Sequence, residues 1–207
     1  MTKSELKQIS SDFPDIKPLI IQNKELSGKI CKIRRRLKTN LDNYGFLIDL
    51  VSIDSYGERL VNAVVGFFKA IGFDKVENID KKYKEEDIRL WADNFLLIIE
   101  VTGIENRNPP FKKCHQISMH IPKRQSEYPC LKVFGLFVVN HDCKRHYSKR
   151  EKKPFNSKIS ETAQLHNYTL ATTLDLLNLF ILFKNGTLCR NEILKKLCST
   201  GEFKLGG

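Results

Sequence analysis

Two acids in this chain stand where they can meet. Asp87 opens the run DIRLW, Glu100 ends the run FLLIIE, and Asp93-Asn94 is the only turn between them. If both runs are strands, the chain doubles back as a hairpin and brings the two carboxylates side by side at one sheet edge. Such a pair repels unless a proton or a cation intervenes, and hard carboxylate oxygens suit magnesium or manganese. The carbonyl of Val101 offers a third ligand. A divalent ion held there lowers the pKa of a bound water and neutralises charge on a phosphate under attack, which are the needs of phosphodiester hydrolysis. Acids in a charged stretch such as KEED are ordinarily solvated, and Asp87 belongs to that stretch. Glu100 differs because it directly follows Leu96, Leu97, Ile98 and Ile99, and a charge at the end of a buried run needs a partner or a cation.

Other groupings carry less chemistry. His141, Cys143 and His146 lie close in sequence, but no second ligand pair has recognisable metal spacing. Cys114 and His115 are adjacent on a predicted helix, so their side chains point about 100° apart and make no nucleophile pair. The loop holding Lys144, Arg145, Lys149, Arg150, Lys152 and Lys153 around Tyr147 is suited to phosphate contacts, with the tyrosine available to stack on a base.

The order of Glu58 on a leading helix, Asp87, then Glu100-Val101-Thr102-Gly103, then Gln116 on the next helix resembles the PD-(D/E)XK nuclease superfamily. Further on, VVNHD, Arg150 with KKPF, and LATTLDLL resemble segments of bacterial members. The resemblance implies a restriction-endonuclease-like three-layer α/β sandwich with a central mixed sheet flanked by helices. It also implies that Asp87, Glu100 and Val101 hold magnesium or manganese, that Glu58 matches the acid of the first helix, and that Gln116 matches a polar residue of the following one. Where the superfamily has a lysine two positions after the glutamate, this chain has Thr102, which carries no charge. Lys113 or Lys112 can reach the site from the helix after Pro110, because lysine is long and flexible. The implied function is metal-dependent phosphodiester hydrolysis, with DNA the favoured substrate and bacterial defence the setting. The loss of the lysine also fits a catalytically silent module that binds nucleic acid or a protein partner.

The elements that would position these residues are legible as periodicities. SYGERLVNAVVGFFKAIGF places Leu60, Val61, Val64, Val65, Phe68 and Ile71 at three- and four-residue spacings before Gly72, an amphipathic helix with a glycine stop. Strands follow around Lys75 to Ile79 and Asp87 to Trp91, and then FLLIIEV, a central strand bounded by Asp93-Asn94 and Gly103. FKKCHQISMHI after Pro109-Pro110 is a helix, LKVFGLFVVN a second central strand, Ser157 to His166 a helix, YTLATT a strand, and LDLLNLFILF a helix closed by Asn185-Gly186. Residues 188–200 make a last short helix. Trp91 and the phenylalanines at 67, 68, 134, 137, 180 and 183 fall on apolar faces and belong to the core.

Composition sets the frame. A chain of 207 residues, 41% of them hydrophobic, buries one full core. We therefore expect a nuclease-like domain over 46–207 and a basic, helical appendage over 1–45, in which Lys29, Lys32, Arg34, Arg35, Arg36 and Lys38 cluster. The net charge of +11 favours nucleic acid as partner, whether the protein acts alone, as a homo-oligomer or within a larger assembly. The first residues show no apolar run, no stretch approaches a membrane span, and the six scattered cysteines fit reduced thiols, so the expected location is cytoplasmic.

Overall fold

A computed structural model describes residues 44–79, 85–105 and 108–205. The basic cluster from Lys29 to Lys38 and most of the charged turn before Asp87 lie outside the described residues, and the expected appendage lies almost entirely outside them.

The elements are α1 (Gly57–Ala70), β1 (Val76–Asn78), β2 (Ile88–Ala92), β3 (Phe95–Gly103), α2 (Phe111–Glu127), β4 (Lys132–Asn140), α3 (Ser157–Leu165), β5 (Tyr168–Thr172), α4 (Thr173–Lys184), α5 (Arg190–Leu197) and β6 (Gly201–Glu202). The strands form one mixed sheet in the order β1-β2-β3-β4-β5-β6. The β1–β2 and β2–β3 pairs are antiparallel, whereas β3–β4, β4–β5 and β5–β6 are parallel.

Parallel strands need crossover helices, which cover both faces of the sheet, and this explains the nearly continuous apolar runs in β3, β4 and β5. Alternate residues of β3 serve opposite layers. Leu97 and Ile99 pack with Val64, Phe67 and Phe68 of α1, Leu176 and Phe180 of α4, and Leu194 of α5. Leu96 and Ile98 pack with Cys114 and Ile117 of α2 and Ile159 of α3. Of the aromatic residues expected in the core, Phe67, Phe68, Phe137 and Phe180 are buried. Trp91, Phe134 and Phe183 are half-buried against the same clusters.

Three features depart from the sequence reading. Helical residues 44–51 place Tyr44 and Phe46 edge-on against Phe180, with ring centroids 5.9 and 5.4 Å away. The short edge strand β6, whose first residue Gly201 sits at φ 82°, carries no periodicity long enough to see. Helix α2 runs through Pro122 to Glu127 instead of stopping at Ile121. Proline removes one helical hydrogen bond, but the turn beyond it is held by side chains. Gln125 donates to the Leu131 carbonyl at 2.7 Å and accepts from the Val133 amide at 3.1 Å. Arg124, only 2% exposed, donates through Nε and Nη2 to the two oxygens of buried Glu86, at 2.7 and 2.9 Å. It also pairs with Glu85 and Glu127, while Arg89 joins Glu86 from β2.

Burial alone would raise the Glu86 carboxyl, but the hydrogen bonds from Arg124 and Arg89 override it and leave it below the usual carboxylate range. Arg124 holds Glu85 down to about 2. Groups depressed in the folded state contribute stability that is complete above their unfolded pKa and is lost as pH falls through the folded value. The native chain should therefore lose stability below pH ~4.3, and Arg124→Met should flatten that acid limb. At neutral pH the same variant leaves Glu86 under-compensated and should cost about 3 kcal/mol, read from urea unfolding.

Candidate metal centre

Ile88 pairs with Ile99, so one step outward in the antiparallel register Asp87 stands opposite Glu100. Directly opposed residues project from the same face of a sheet. That face is the one α2 covers, because Glu100 shares its alternation with Leu96 and Ile98. Thr102 continues the same alternation. The Val101 amide donates to Asp87 Oδ2 at 2.8 Å and so fixes the aspartate against the end of β3.

An open cleft of about 480 Å³ lies over these strand ends. Asp87, Glu100, Val101, Thr102, Lys113 and Gln116 all line it, together with Tyr56, Gly57, Gly103 and Cys143. Lys113 and Gln116 come from the first turns of α2, where a three-residue step keeps them on one helix face. Lys112 is exposed and is not among the lining residues. Glu58 is exposed in the first turn of α1, on the opposite layer, and only its neighbours Tyr56 and Gly57 border the cleft. Gly103 permits a close approach here. A Cβ at that position would stand 2.6 Å from the Tyr56 Cβ and 2.7 Å from the Ser55 carbonyl oxygen.

Glu100 is 5% exposed, and its Oε1 has no hydrogen-bond partner. Burial pushes its carboxyl up and the Asp87 carboxylate adds to that, while His120 and Lys113 pull the other way. A buried carboxylate oxygen with no well-formed hydrogen bond, beside a second carboxylate, is a donor set that fits a hard divalent cation. Among the described residues no three histidine, cysteine or acidic side chains are arranged so that they could hold one ion between them. Asp87, Glu100 and the Val101 carbonyl would then be the protein ligands, with water or phosphate oxygens completing the sphere.

The sequence reading missed His120. Its Nε2 lies 3.4 Å from Glu100 Oε1 and its Nδ1 lies 3.8 Å from Glu86 Oε2. Lys113, Gln116, His120 and Arg124 recur at three- and four-residue spacings, a polar stripe whose first half opens on the cleft and whose second half, His120 and Arg124, is buried. That spacing was the available signal.

The basic loop divides. Arg145, Lys149, Lys152 and Lys153 are exposed, and Lys144 pairs with Glu105 at 2.8 Å. Arg150 departs from the expectation of a phosphate contact. It is 6% exposed, donates to the Val51 and Arg145 carbonyls at 2.9 and 3.1 Å, and binds Asn140 Oδ1, so its fork is used up inside the fold. His141 donates from Nε2 to the Glu151 carbonyl at 2.7 Å, and His146 bonds Ser148, so neither joins Cys143 in a ligand set. The Cys114 thiol is pushed up to about 12 by burial, which removes it as a nucleophile.

No family model matches the chain, and no curated protein matches it. Two solved structures do. The restriction endonuclease FokI aligns at a TM-score of 0.56 and 14% identity, over 83% of this chain and 34% of that one. The small subunit of the heterodimeric restriction endonuclease R.BspD6I aligns at a TM-score of 0.52 and 12% identity, over 75% of this chain and 86% of that one. The chain thus spans about a third of the length of FokI. The mixed sheet, its flanking helices and these likenesses define a restriction-endonuclease-like fold. Among the described residues no helix is long and apolar enough to cross a membrane.

Because the folded state raises the Glu100 pKa, its charged form destabilises the fold. This contribution is absent below the unfolded pKa and grows as pH rises through the folded one. Glu100→Gln should therefore raise the Tm of the metal-free protein at pH 7. Manganese should raise the Tm of the native chain and leave that of the variant unchanged. Thermal scans with and without EDTA check both.

Proposed function

We propose that this protein is a metal-dependent nuclease that hydrolyses phosphodiester bonds, with DNA as its substrate. The observation that carries the reading is the convergence of Asp87, Glu100 and Lys113 on one cleft. A magnesium or manganese ion in that cleft supplies an acidified water and charge neutralisation at the phosphate. Asp87, Glu100 and the Val101 carbonyl would hold it, whereas Glu58, exposed on α1, stands outside the cleft and takes no part. Lys113 offers the positive charge that Thr102 lacks, and its influence on Glu100 is already felt. Gln116 orients a water or a phosphate oxygen from the same helix face. The net charge of +11 and the exposed Lys112, Lys144, Arg145, Lys149, Lys152 and Lys153 draw the phosphate backbone towards the cleft. The two structural neighbours are restriction endonucleases, which supports DNA as the substrate and defence as the setting.

Thr102 favours a second reading, in which the module has fallen silent and binds nucleic acid or a protein partner within a larger assembly. Incubation with plasmid and single-stranded DNA, in manganese or magnesium against EDTA, separates the two. Asp87→Ala and Glu100→Ala should abolish cleavage, and Lys113→Ala should slow it by ~10²-fold if its charge acts on the transition state. If the native chain is silent and Thr102→Lys restores cutting, the geometry is intact and only the charge was lost. Cleavage that survives alanine at both acids would falsify the assignment of the site.

Binding should fall steeply with salt, because each neutralised phosphate releases counterions. Neutralising Arg145, Lys149, Lys152 and Lys153 together should lower affinity on every sequence alike and reduce the slope of log K against log salt. Titrations at two salt concentrations under EDTA measure this, and an unchanged slope returns the loop to a solvated surface.

A further inference from the structure

Glu100 reaches the cleft at the end of four buried apolar residues, and its Oε1 is buried with no hydrogen-bond donor. A carboxylate in that position has no backbone anchor of the kind that Asp87 has in the Val101 amide. His120, 8% exposed, faces Glu100 Oε1 with its Nε2 3.4 Å away, and that nitrogen likewise has no hydrogen-bond partner. The other ring nitrogen faces Glu86 Oε2 at 3.8 Å. Glu86 is held at both oxygens by Arg124, which follows His120 by one helical turn. The imidazole is thus bracketed between one carboxylate that is fixed and one that is not.

We propose that His120 is a positioning residue, which orients the Glu100 carboxylate for metal binding by coupling it to the Glu86–Arg124 clasp. This rests on the metal-dependent reading of the site. A ligand carboxylate must be held to within about half an ångström of its working position, and supports carried on helices do this better than supports on loops. His120 sits in the middle of a 17-residue helix, and the next turn of that helix is pinned by Arg124. Losing a partner that orients a ligand typically costs 10–100-fold in metal affinity.

The test is manganese binding to the full chain, read from the loss of the free-ion EPR signal, with Tm followed in parallel. Three proteins are compared with the native chain: His120→Leu, His120→Gln and the control Glu100→Ala. Glutamine places an amide nitrogen near the Nε2 position and leucine fills space without a polar atom. The proposal expects His120→Leu to weaken manganese binding by ~10–100-fold, and His120→Gln to restore it to within a few-fold of native. Unchanged affinity in His120→Leu overturns it. Equal weakening in both variants in step with a falling Tm also overturns it, because the role would then be structural. A nitrogen modulation on the bound-manganese signal that disappears in His120→Leu overturns it in favour of direct ligation. If the native chain binds no more manganese than Glu100→Ala does, the metal reading falls and takes this inference with it.

Discussion

The pairing of Ile88 with Ile99 is the constraint on which the site depends. Strand alternation has a period of two, so slipping β2 against β3 by one residue would turn Asp87 to the layer of α1 while Glu100 stayed under α2. The core guards against this. Ile88 and Leu90 pack under α1 on one face of β2, whereas Asp87, Arg89 and Trp91 occupy the other. A slip would bury Arg89 among phenylalanines and set two apolar side chains where Arg89 now pairs with Glu85 and Glu86. The metal-site geometry is therefore specified by hydrophobic burial on the face opposite the acids.

A second set of ties holds the far wall of the cleft. Asn140, at the end of β4, donates to the Ser55 carbonyl at 2.9 Å and accepts from Arg150 and from Thr173. Arg150 continues to the carbonyls of Val51 and Ser52. The segment that leads into α1, which brings Tyr56 to the rim, is thus fastened to the loop after β4 by two buried side chains. An arginine that looks in sequence like one more basic loop residue is a structural bolt, and the loop's capacity for phosphate rests on its exposed neighbours.

Much of this was legible without coordinates, and the reasons are physical. Central strands buried on both faces announce themselves as apolar runs, and α1 shows itself by its 3.6-residue period. The Asp87–Glu100 pair was readable because a two-residue turn at Asp93-Asn94 sets Ala92 against Phe95 and so fixes the register back to these acids. What escaped depends on contacts far apart in the chain. Nothing near Pro122 tells that Arg124 will find Glu86 and carry the helix onward, and β6 exists only because β5 is there to pair with it. His120 was missed and Arg150 misjudged for a common reason. Local sequence does not say which face of a polar segment will be covered, and burial converts an ordinary polar residue into a part of the site or of the frame.

The close approach at Gly103 has a consequence for diversifying this protein. In a saturation library over the end of β3, position 103 should return glycine almost alone, since its missing Cβ is the space that Tyr56 and Ser55 occupy. Position 102 is half-buried and opens on the cleft, so side chains of many lengths fit there without moving the backbone. Chemical variety at this strand end is thus channelled into one position, set between an acid that the site requires and a glycine that the packing requires.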